Sequence, residues 1–103
     1  MYLEYNFDEM CATSERLNSI LNEGNISVES IRRFANCGLA LKWEGVAAER
    51  FRADLHRMTF VQNFDGSVML ELRFIANYPR KCAEQMAAAD QKIAAKIRAI
   101  LNG

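Results

Sequence analysis

Two long apolar stripes with helical spacing limit what this chain can form. The first runs Met10, Leu17, Leu21, Gly24, Val28, Ile31, Ala35, Gly38. The second runs Phe51, Leu55, Met58, Val61, Phe64, Val68, Leu72, Ile75, Cys82, Met86, Ala89, Ile93, Ile97, Ile100. Successive steps are all three, four or seven residues, so each stripe lines one face of an α-helix. A spacing near 3.5 is that of a seam between packed helices. Between the stripes stands Trp43-Glu44-Gly45, with the only tryptophan. Gly45 permits φ > 0, where the backbone reverses without a Cβ penalty. Trp43 is a large apolar plug with one N–H donor, suited to cover the open end of a helical pair. The expected fold is all-α: one antiparallel two-helix hairpin over residues 1–103, with helix 1 about 7–41, a turn at 42–46 and helix 2 about 47–101.

Local signals refine these bounds. Residues before Asn6 read as an extended arm. Asn6 suits an N-cap, Glu9 can reach back in a capping box, and Tyr5 and Met10 occupy the staple positions. Asn22-Glu23-Gly24-Asn25 either breaks helix 1, with Ser27 capping a restart, or is a weak point in one helix. The unbroken register favours one helix. Asp65-Gly66 is also a type I′ hairpin signal, ranked below the helix because the stripe crosses it in phase. Pro79 removes an N–H and crowds the preceding turn, so helix 2 is expected to kink or split near Asn77-Tyr78-Pro79. The Ala-rich segment from Arg80 to Leu101 is strongly helical.

Composition bounds the function. The chain has 103 residues, half of them hydrophobic, and zero formal net charge. That fits one globular domain and argues against a general nucleic-acid binder. No apolar run reaches the ~20 residues of a membrane span. Met1-Tyr2-Leu3-Glu4-Tyr5 shows no basic region or apolar core of a Sec-type leader. Cys11, Cys37 and Cys82 are odd in number and widely spaced, as expected of reduced thiols. His56 has no nucleophile at a recognisable spacing, and no phosphate-loop, dinucleotide or zinc-protease motif occurs. No catalytic residue, metal ligand or cofactor is therefore assigned. Acids dominate the first part of the chain (Glu4, Asp8, Glu9, Glu15, Glu23, Glu29 against Arg16). Bases dominate the last (Arg80, Lys81, Lys92, Lys96, Arg98 against Glu84 and Asp90). Antiparallel packing would set these ends side by side.

The run Trp43-Glu44-Gly45-Val46-Ala47-Ala48-Glu49-Arg50-Phe51 resembles the WXG family, the small ESAT-like proteins of type VII secretion systems. Trp43, Gly45, Ala47 and Phe51 carry the resemblance. It implies a non-enzymatic protein, secreted without a cleaved signal peptide, that pairs as a homodimer or with a related small helical protein. It places an export element at Trp43 and Gly45, and a second near the end of helix 2. There the family has a tyrosine, three variable residues, then an acid. Here the place reads Met86-Ala87-Ala88-Ala89-Asp90, with the acid present and the aromatic absent. An alternative is a targeting partner that binds the N-terminal helices of a larger secreted toxin and brings it to the secretion machinery. A cytosolic helical adaptor is a further reading.

A two-helix hairpin cannot bury two broad apolar faces by itself, and a rod of that length would expose far more apolar surface than a monomer tolerates. The stripe including Leu17, Leu21, Val28, Ile31, Phe51, Leu55 and Leu72 is therefore expected to meet a second hairpin, giving a four-helix bundle.

Overall fold

The computed structural model describes residues 5–23, 27–37 and 41–103. They form four α-helices: α1 (Phe7–Asn22), α2 (Val28–Cys37), α3 (Val46–Met58) and α4 (Gly66–Asn102). No strand occurs among the described residues, so Thr59–Phe64 and Val68–Phe74 do not make a hairpin of strands. The all-α expectation holds. The two long helices do not: each is divided.

α1 starts as its sequence dictates. The Asn6 side chain accepts from the Glu9 N–H at 3.0 Å, and Asp8 and Glu9 sit at the positive end of the helix dipole. α1 then ends at Asn22, and Ser27 restarts the chain by accepting from the Ser30 N–H at 3.2 Å. With Glu23 and Ser27 both outside helix, the single helix expected over 7–41 is divided into α1 and α2. Gly24 and Gly38, expected on the seam, lie outside the described residues, as does the Cys37 side chain.

The second division falls at Thr59–Asp65. Thr59 Oγ1 donates to the His56 carbonyl at 2.6 Å and closes α3. Asp65 accepts from the Val68 N–H at 2.9 Å and opens α4. Asp-Gly here is a helix N-cap followed by a first-turn glycine. A stripe in phase across residues 59–65 says which face the flanking helices share, and does not require helix between them. The split expected near Pro79 is absent: α4 runs unbroken through it. Pro79 is buried, and the next N–H, that of Arg80, donates to Ser14 Oγ of α1 at 3.0 Å.

Directions follow from the contacts. Asn18 meets Asn77, Arg73 meets Asn22 and Arg80 meets Glu15, so α1 and α4 are antiparallel. Lys42 and Trp43, just past α2, lie against Glu9 and Tyr5, so α2 carries the chain back along α1. Arg57 pairs with Glu71 while Trp43 packs on Tyr78, so α3 runs against the first part of α4. The core joins all four helices through Met10, Leu17, Ile31, Phe51, Leu55 and Leu72, each essentially sealed from solvent. The molecule measures 59 × 22 × 18 Å. α4 alone accounts for the long axis, at ~55 Å for its length.

Candidate functional site

Trp43 belongs to the interior. It is 2% exposed. Its ring lies 5.9 Å from Phe51 and 6.3 Å from Tyr78, and its backbone makes an antiparallel bridge with Tyr5. Arg52 fixes the segment, with one guanidinium nitrogen donating to the Leu41 and Trp43 carbonyls at 3.2 and 2.9 Å. The Lys42 N–H donates to Glu9 Oε2 at 3.3 Å, so Glu9 serves this tertiary contact in place of the capping box expected of it. A tryptophan at the tip of a rod would touch few residues. This one touches α1's entry, α3 and α4, because the breaks in the helices fold the linker onto the middle of the molecule.

Gly45 matches its expected chemistry. Its φ is 112° and its ψ −179°, a conformation open essentially only to glycine, and its carbonyl accepts from Glu49 as α3 begins. A side chain there would add about 1–3 kcal/mol of strain.

The tail element splits between core and surface. Met86 is half-buried against the core, and Asp90 is exposed. Asp90 Oδ2 accepts from the Tyr5 hydroxyl at 2.5 Å. This hydrogen bond first, with some desolvation and the carboxylate's charge, raises the Tyr5 phenol above its ordinary value. A tyrosine thus does meet Asp90, from the start of α1 rather than from position 86. Burial raises the Tyr78 phenol as well, with Cys82 adding to it. The sequence marked Tyr5 only for a staple with Met10 and Tyr78 only beside Pro79; their contacts with Asp90 and Trp43 join positions far apart along the chain.

The expected association stripe is used within the chain. Leu17, Leu21, Ile31, Phe51, Leu55 and Leu72 are all buried, and Val28 is half-buried. Two folds in the chain supply the cover that a second hairpin was expected to provide. Truncating one of these leucines to alanine would therefore cost ~2–5 kcal/mol of the chain's own stability.

What remains uncovered is the last part of α4. The N-terminal end of α1 lies beside Asp90, and from residue 88 onward every residue is exposed. Ile93 and Ile97 are 52% exposed, and Ile100 and Leu101 78%. Their spacing makes one apolar face, flanked by Lys92, Lys96 and Arg98. A second exposed pair, Leu70 and Phe74, sits earlier on α4. The sequence placed Ile93, Ile97 and Ile100 on the stripe but carried no sign that α1 stops short of them.

Among the described residues, no group of three or more His, Cys, Asp or Glu stands together as a metal site, and Cys11 and Cys82 are free thiols. His56 packs edge-on against Phe60 at 5.3 Å. No described helix is long and apolar enough to cross a membrane. No family model, curated protein or solved structure matches the chain.

Proposed function

We propose that this chain is a non-catalytic helical partner protein, WXG-like, that serves a type VII secretion system in company with another helical chain and leaves the cell without a cleaved signal peptide. The uncovered apolar face of Ile93, Ile97, Ile100 and Leu101 carries this reading, since a stripe of that kind at the end of a folded protein marks an association site. The resemblance at Trp43, Gly45, Ala47 and Phe51 supplies the secretion context. It also implies pairing of two antiparallel hairpins into a four-helix bundle. Here such pairing has to use outer faces, because the inner stripe is already buried.

One observation favours the targeting-partner form over a homodimer. Residues 91–103 contain three cations and no acid, so two copies of this arm laid together would bring like charges into contact. A different helical chain, such as the N-terminal helices of a larger secreted toxin, avoids that.

The test compares Trp43→Ala with Asp90→Ala for melting and for the amount secreted by the native host. Trp43→Ala is expected to lose ~3–5 kcal/mol of stability and secretion with it. Asp90→Ala, a surface change, is expected to keep nearly the parent melting temperature and lose secretion. Secretion of Asp90→Ala at the parent level would remove Asp90 from the export element. A chain that never leaves the host would end the secretion reading.

A further inference from the structure

The core-facing side of α4 does not stop where α1 stops. Leu72, Ile75 and Cys82 pack inside the chain. By steps of three, four and seven, the same side continues to Ile93, Ile97 and Ile100. The arm therefore presents bare the kind of surface that α1 covers further back. α1 itself shows what suits that surface: a helix with an apolar face, rich in acids, whose Glu15 pairs with Arg80 at 3.0 Å. Along the arm, Lys92, Lys96 and Arg98 flank the apolar face with no acid among them.

We infer that residues 91–102 of α4 dock an acidic amphipathic helix of another chain, laid end to end with α1 along the same side of α4. This rests on the partner-protein reading and names the partner's chemistry: apolar residues facing the isoleucines, with Asp or Glu on both flanks. The arm's twelve residues give ~18 Å of contact, about three turns. An antiparallel partner would also set the positive end of its dipole beside the negative end of α4. An anionic membrane surface shares the charge preference. It is disfavoured because no aromatic residue follows Tyr78, whereas interfacial helices carry aromatic anchors.

The probe is a synthetic helical peptide with leucine on one face and glutamate on both flanks, titrated into the full chain. A twin carries lysine at each glutamate. Vesicles of mixed phosphatidylserine and phosphatidylcholine form the third arm. The parent chain is expected to bind the glutamate peptide roughly tenfold more tightly than its twin, with affinity falling as salt rises. Ile93→Asp with Ile97→Asp should abolish binding while helical content and melting hold. Lys92→Glu, Lys96→Glu and Arg98→Glu together should reverse the peptide preference. Leu70→Ser, on the other exposed patch, should leave it unchanged. Equal binding of both peptides, binding of neither, or capture of vesicles in place of peptide would overturn the inference. A lost peptide preference with export intact sinks the docking inference alone. Export that never depended on this chain, with the preference retained, sinks only the secretion reading.

Discussion

Tyr5 is held at both of its ends: its backbone pairs with Trp43 and its hydroxyl donates to Asp90. The fold therefore favours the neutral phenol, whose folded pKa is raised. The stabilisation is complete below the ordinary tyrosine value near 10 and fades as pH climbs through the raised folded value. Ultraviolet titration is expected to show two phenols, those of Tyr5 and Tyr78, ionising late in the parent, and that of Tyr5 ionising earlier in Asp90→Asn. Identical titration curves would mean the contact does not persist in solution. Residues whose role is set by their immediate neighbours were legible from the sequence. Asn6 caps α1, and Gly45 takes positive φ, because both follow from backbone chemistry within a few positions. Glu9 was misread because an amide thirty-three positions away competes for its carboxylate. The surroundings of Trp43 were hidden for the same reason, as Tyr5 and Tyr78 approach it only in the folded chain.

At the scale of the element, α4 tests how a helix carries a buried proline. Pro79 has no N–H, and its ring crowds the carbonyl of residue 75, a combination worth ~3 kcal/mol against an ordinary helix. α4 nevertheless continues, and the Arg80 N–H is satisfied by the fully buried Ser14 hydroxyl. Tertiary contact offsets what local sequence opposes. Ser14→Ala would strip that acceptor and is expected to destabilise the chain by about 1–3 kcal/mol in urea unfolding. A change within ~0.5 kcal/mol, the range of ordinary surface substitutions, would show that the Arg80 amide finds another partner. The true breaks were written in cap chemistry. Ser27 and Asp65 each accept from an amide three residues on. The periodic stripes masked them, since three- and four-residue steps survive a short loop that preserves phase.

For the whole molecule, the decisive feature is that one helix is longer than everything packed on it. α1 and α3 cover α4 from its start to about Asp90, with α2 packed on α1 and α3, and the rest extends alone. A chain ending at Asp90 is therefore expected to unfold as cooperatively as the full chain, at a melting temperature within a few degrees. It should lose helix signal in proportion to the missing turns and lose the peptide binding described above. A broad, early transition would show that the arm contributes to the core. The all-α class was legible because apolar spacing reports on helix faces directly. The number of helices was not, and the burial partner of each stripe was not. Both depend on where the chain turns back, and dividing each expected helix in two converts an expected rod needing a second copy into a chain that covers most of itself.

The pairing of α1 with α4 also sets an order of events during synthesis. The bonds joining them link residues 66 apart at Ser14–Arg80 and 85 apart at Tyr5–Asp90. Loops that long close slowly compared with contacts between neighbouring helices. As the nascent chain leaves the ribosome, Met10, Leu17 and Leu21 stay bare until the segment around Arg80 has emerged. Over that interval the α4-facing side of α1 is open to chaperones and proteases.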